Sequence, residues 1–214
     1  MKFYPDNTDE VLLNRENFFS KLGLDPNTVV SASLVHGDNI AVVTESNIGQ
    51  KIENTDGLIT ATPGVILTIT VADCLPIYFF DQTKRVVGLT HAGWRGVVKN
   101  LASKMIQKMR SEFGTDPKDV LVTIGPHIKE CHFEVREDVA EQFKDYPEFI
   151  LRKDNKINLN LAGVVKKQLE DEGVLSEHIS ISNDCTYCLD KKYFSFRRDQ
   201  PERVEAMIAY IGLY

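Results

Sequence analysis

The chain has 214 residues, 43% hydrophobic and 26% charged, a composition that supports a globular fold with a sizeable core. Its 25 basic and 31 acidic residues leave a formal charge of −6, and no run of Lys or Arg exceeds a pair, which argues against a nucleic-acid partner and for small molecules. The first residues, MKFYPDNTDE, lack an apolar signal core, and no segment approaches the roughly 18–20 apolar residues needed to span a bilayer. A cytoplasmic location without membrane contact is expected, and there the four cysteines should stay reduced and suit metal binding or catalysis better than a disulfide frame.

Taken in order, residues 9–22 place Val11, Leu12, Phe18, Phe19 and Leu22 at helical spacing before a Gly23 stop. TVVSASLV and NIAVVTE then read as strands separated by HGDN, which sets His36 at a hairpin or strand end. Asp56-Gly57 and TPGV mark turns. A long β-patterned run from Ile66 to Phe80 carries Asp73 and Cys74, and its second half is apolar on both faces. RVVGLTHAGWRG reads as strand, sharp turn and helix, and the stripe Val97, Leu101, Met105, Ile106 and Met109 continues that helix through residue 114. Further on, DVLVTIGPHI is a strand, REDVAEQFK a helix, INLNLAGVVKKQLEDEG a helix behind an asparagine cap, and ISISNDC, YFSF and EAMIAYIGL are strands. Strands outnumber helices, with neither linker nor repeat, so one mixed α/β domain over residues 1–214 is predicted.

Three arrangements bear chemistry. His36, Cys74 and His91, each following an apolar run, offer three ligands for a zinc ion with an open fourth position. Their spacings match no local finger pattern. The same Cys74 and His91 equally suit a nucleophilic cysteine activated by a histidine, and the residues alone leave the two readings open. His132-Phe133-Glu134 with Cys185-Thr186-Tyr187-Cys188 resembles the zinc deaminase signature, but Asp184 stands where that signature has Pro, which favours a Cys-x-x-Cys turn packed at a strand end. Arg95, in the first turn of the helix after His91, would add charge to an anion site there. Copper ranks behind zinc, because a multicopper oxidase uses far more histidines than the five present.

The blocks LVHGDN, VADCLPI, HAGWRGV, IGPHI, FEV, CTYC and YFSFRRD, in this order, resemble the laccase-domain family, also called multicopper polyphenol oxidase and described as purine nucleoside phosphorylase. The resemblance covers about residues 30–213. It implies a mixed-sheet α/β/β/α sandwich related to the cytotoxic necrotizing factor toxins, with His36, Cys74 and His91 as ligands of a catalytic zinc. It also implies phosphorolysis of adenosine, inosine and methylthioadenosine to base and ribose 1-phosphate, and deamination of adenosine. Phosphate would then meet Arg95, Arg197 and Arg198, while Asp73 orients neighbouring groups or carries a proton. A cysteine hydrolase or amidase using Cys74 and His91 and a polyphenol oxidase are the alternatives. The chain departs from the family at His127, at Cys131-His132, and after FRRD, where QPERVEAMIAYIGL replaces a Gly-rich turn and removes the basis for an anion role of Arg203.

Overall fold

Strand-forming runs that are apolar on both faces need a cover on each side, and that requirement sets the layering of this molecule. The computed structural model describes residues 9–200, 202 and 205–214, so Arg203 lies outside the described residues. In chain order the elements are α1 (Asp9–Lys21), β1 (Val29–Ala32), β2 (Ile40–Val42), β3 (Lys51–Ile52), β4 (Gly57–Thr60), β5 (Ile66–Val71), β6 (Leu75–Asp81) and β7 (Val86–Ala92). There follow α2 (Trp94–Val98), α3 (Leu101–Phe113), β8 (Val120–Ile124), β9 (Glu134–Val135), α4 (Glu137–Ala140), β10 (Ile150–Lys153), β11 (Lys156–Leu159), α5 (Leu161–Asp171), β12 (Ile179–Ile181), α6 (Phe196–Asp199) and β13 (Met207–Gly212).

A six-stranded mixed sheet, ordered β12-β8-β6-β7-β4-β2, forms the centre. Every residue of β7 is buried. On one face lie α3 and α5, whose buried stripes Leu101, Met105, Ile106 and Met109 and Val164, Val165 and Leu169 join Ile77, Phe79 and Val122 in one core. On the other face a four-stranded sheet, β13-β5-β1-β3, packs Val30, Leu67 and Ile69 against Leu58, Val87 and Leu89. Burying a side chain of this size contributes about 1.5–3 kcal/mol, so the two interlayer cores carry the stability. Phe18 and Phe19 of α1 meet Tyr210 of β13 edge-on at 5.8 Å, which places α1 outside the smaller sheet and completes the α/β/β/α order. A third sheet, β10-β11-β9, is hydrogen-bonded separately and packs Leu159, Val135 and Ile150 against the α3/α5 core. Among the described residues no helix is long and apolar enough to cross a membrane.

Several local expectations are corrected. The run from Ile66 to Phe80 is two strands in different sheets: Asp73 takes φ 84°, a left-handed conformation that turns the chain between β5 and β6. The strands flanking His36 form no hairpin, because β1 pairs in parallel with β3 and β5 while β2 pairs in parallel with β4 in the other sheet. The helix after HAGWRG is broken at Asn100, whose φ of 59° starts α3 afresh. Residues Lys156–Leu159 are a strand, and only then does Asn160 cap α5 by accepting from the Gly163 amide at 2.9 Å. YFSF is no strand: the Ser195 hydroxyl accepts from the Arg198 amide at 3.2 Å and caps α6 instead.

Candidate metal centre

Strand register brings the central residues together. In the antiparallel β6–β7 pair Pro76 lies opposite His91 and Leu75 opposite Ala92, so Cys74, one residue before β6, stands across from Gly93. On the other side of β7, Gly57 lies opposite Thr90, and the His91 amide donates to the Asp56 carbonyl at 2.7 Å. The loop between β1 and β2 then folds over this edge and delivers His36. One ligand atom each from His36, Cys74 and His91 falls within 4.8 Å of the others, a spacing that fits a single metal ion.

Asp56 organises the group. It is fully buried, and its carboxylate meets His91 Nδ1 at 2.9 Å while accepting from the amides of Val35 at 3.2 Å, His36 at 3.0 Å and Gly37 at 2.7 Å. One side chain thus fixes the His91 ring and the loop that holds His36, whose φ is 56°. With Nδ1 engaged by the carboxylate, Nε2 is the His91 atom left for a metal, the carboxylate–histidine pairing common behind metal ligands. Nothing in the sequence beyond a turn dipeptide pointed to Asp56; the missing signal was the β4–β7 register, which only the fold supplies. Gly93 completes the fit. A Cβ there would lie 2.9 Å from His36 Cδ2 and 3.1 Å from Cys74 Sγ, so only glycine lets the imidazole and the thiol converge.

The electrostatics favour a thiolate. Burial raises the Cys74 thiol, but the charge of His91 and hydrogen bonds from both imidazoles outweigh it and hold the thiol at about 6. Burial depresses the His91 imidazole, yet Cys74 and Asp56 raise it further, to about 9. Burial likewise pushes Asp56 up, and its bonds to His91 and the loop amides more than reverse this, holding the carboxyl below its ordinary value. Without a metal the centre is therefore a thiolate–imidazolium pair at neutral pH. With a metal, the His91 proton is what the ion must displace.

The remaining expected residues divide. Asp73 is buried and directs its carboxylate at the C-terminal loop, accepting from the Thr186 hydroxyl at 2.6 Å, the Ser195 hydroxyl at 3.1 Å and the Arg197 amide at 2.7 Å. Arg197 donates to the Glu134 carbonyl at 2.8 Å and packs over Phe133. Arg198 donates from Nη1 and Nη2 to the carbonyls of Thr186, Tyr187 and Tyr193 and pairs with Asp199, so its guanidinium organises its own loop. Arg95 is exposed, with its guanidinium 4.3 Å from the Trp94 ring. His127 is buried, its Nδ1 2.8 Å from the Gly125 carbonyl oxygen, and burial lowers its pKa; it is not part of the three-ligand group. Cys131, His132, Cys185 and Cys188 do converge, while the Glu134 carboxylate pairs with Lys156 at 3.0 Å.

The same fold recurs in known proteins. The profile of the family described as multi-copper polyphenol oxidoreductase laccase matches residues 3–213. The chain is 33% identical to purine nucleoside phosphorylase YlmD of Geobacillus stearothermophilus, over 97% of this chain and 80% of that protein. It is 32% identical to purine nucleoside phosphorylase YfiH of Escherichia coli, over 91% and 78%. The crystal structure of the Bacillus licheniformis hypothetical protein YfiH superposes with a TM-score of 0.91 at 31% identity, covering 95% of this chain and 81% of that one. The chain belongs to the multi-copper polyphenol oxidoreductase laccase family, whose relatives here carry the name purine nucleoside phosphorylase.

Proposed function

We propose that this protein is a zinc-dependent purine nucleoside phosphorylase that cleaves adenosine, inosine and methylthioadenosine with phosphate and also deaminates adenosine. The observation that carries the reading is the convergence of His36, Cys74 and His91, backed by Asp56, in a chain whose relatives named purine nucleoside phosphorylases match it over nearly its whole length. The donor set fits zinc: one thiolate and two imidazoles of borderline softness, one imidazole locked from behind by a carboxylate. Held by His36, Cys74 and His91, a zinc ion would supply a Lewis acid to the substrate.

The chain's own residues do the rest. Asp56 fixes the His91 tautomer, and Gly93 leaves room for His36 and Cys74 to approach. Arg197, held by Asp73 through its amide, and Arg95 beside the turn after His91 supply positive charge for phosphate. Arg198 positions that loop. In phosphorolysis a phosphate oxygen bonds to ribose C1′ as the bond from C1′ to the purine nitrogen breaks, and a proton brought by dihydrogen phosphate leaves on the purine nitrogen. Positive charge near the phosphate holds it in line for this displacement.

A cysteine hydrolase is the second reading, and one observation favours it: the Cys74 thiolate, His91 and Asp56 stand in the order nucleophile, base and orienting carboxylate. Such a triad has no use for His36 against the same thiolate, whereas a metal does. Incubating metal-stripped and zinc-reloaded protein with adenosine, with and without phosphate, separates the two. The proposal expects adenine and ribose 1-phosphate only with both zinc and phosphate, and inosine from the zinc-loaded protein. Activity that survives stripping and ignores phosphate would leave the hydrolase reading standing.

A further inference from the structure

Two loops leave neighbouring parallel strands at the sheet edge that holds the first centre. The loop after β8 carries Cys131 and His132; the loop after β12 carries Cys185 and Cys188. His127 and Cys185 form a parallel bridge between the loops, and the Thr186 amide donates to the His127 carbonyl at 3.0 Å. Cys131 Sγ lies 3.6 Å from Cys185 Sγ and 3.7 Å from Cys188 Sγ, and His132 Nδ1 lies 3.2 Å from Cys131 Sγ and 3.3 Å from Cys188 Sγ.

These separations can be set against two chemistries. A disulfide needs its sulfurs about 2.05 Å apart, so the three thiols are unbonded. A tetrahedral zinc with Zn–S of about 2.3 Å and Zn–N of about 2.0–2.1 Å has sulfur–sulfur edges of about 3.8 Å and sulfur–nitrogen edges of about 3.5 Å. The observed edges match these within a few tenths of an ångström. The surroundings suit thiolates as well. The Lys129 amide donates to Cys185 Sγ at 3.5 Å. The His132 ring stacks on Tyr187 at 4.0 Å and 15°, which fixes its plane with Nδ1 toward the sulfurs.

We propose that Cys131, His132, Cys185 and Cys188 bind a second zinc ion in a closed, structural Cys3His site. Four protein ligands leave no open position, so this ion takes no substrate. Its effect is mechanical: it clamps the loop after β8 to the segment after β12, whose Thr186 hydroxyl and Arg197 amide hold Asp73, the residue before Cys74. The site is independent of the phosphorolysis reading, because a protein inactive on nucleosides would still carry it.

Metal content decides the matter. Full-length protein purified with reductant and zinc should hold two equivalents per chain, Cys74→Ala one, and the double variant Cys185→Ser/Cys188→Ser one. Cobalt loaded into Cys74→Ala should give tetrahedral ligand-field bands with strong thiolate-to-cobalt charge transfer. Should the double variant fail to fold, the wild-type stoichiometry and this spectrum decide alone. A single equivalent in the wild type that Cys74→Ala abolishes would overturn the proposal, as would mass-spectrometric evidence of a disulfide among these cysteines in the reductant-treated protein.

Discussion

Asp56 prepares His91 to serve as a ligand, since its carboxylate holds the ring at Nδ1 and, through three loop amides, the backbone that presents His36. Replacing a carboxylate behind a metal-bound histidine costs about 10–100-fold in metal affinity. Asp56→Asn should show a loss of that size in a chelator competition, and an unchanged affinity would count against its role. Gly93→Ala should also loosen the metal while preserving the fold, because the added methyl forces His36 and Cys74 apart at a cost of about 1–3 kcal/mol. The metal-free centre has its own pH signature. The Cys74 contribution to stability is complete above the thiol's ordinary 9.0 and is lost as pH falls through about 6. The His91 contribution is complete below imidazole's ordinary 6.5 and is lost as pH rises through about 9. The charged pair therefore exists between about 6 and about 9. Alkylation of Cys74 in stripped protein, followed by peptide mass spectrometry, should accelerate with a midpoint of about 6. A midpoint at the ordinary 9.0 would show that the imidazoles do not activate it.

At the scale of elements, the loop from Cys185 to Asp199 hangs on Asp73. Asp73→Asn removes a charged acceptor from two hydroxyls and an amide, bonds worth about 1.5–3 kcal/mol each when charged. Its phosphorolysis should drop roughly tenfold or more, mainly through KM for phosphate, with one zinc still bound at Cys74; a fall confined to kcat would instead place Asp73 in the chemical step. The elements also show what could be read from residues. The stripe Leu101, Met105, Ile106, Met109 and the apolar run of β6 declared themselves by period and composition, and His36, Cys74 and His91 by residue type at the ends of such runs. The split of Ile66–Phe80 between two sheets did not, because a left-handed Asp73 leaves no composition trace. Short strands such as β3 and β9, of two residues each, exist through partners distant in sequence and carry no period. The convergence of Cys131-His132 with Cys185 and Cys188 depends likewise on the parallel pairing of β8 with β12.

For the molecule as a whole, one edge of the six-stranded sheet gathers the chemistry. There β4 and β6 begin and β7, β8 and β12 end, so Asp56, Cys74, His91 and the two cysteine-bearing loops become neighbours through register alone. The cores behind that edge hold it still. Leu67→Ala, between the two large sheets, should cost about 2–5 kcal/mol in denaturant unfolding and shift the midpoint without altering the metal ligands. This edge is proposed to hold zinc for phosphorolysis of purine nucleosides. The most direct test is the rate of adenine release from adenosine by zinc-loaded protein as inorganic phosphate is titrated. The rate should rise from near zero to saturation with phosphate, with one ribose 1-phosphate per adenine and no activity in Cys74→Ala; adenine release at the same rate without phosphate, or undiminished in Cys74→Ala, would contradict the proposed function.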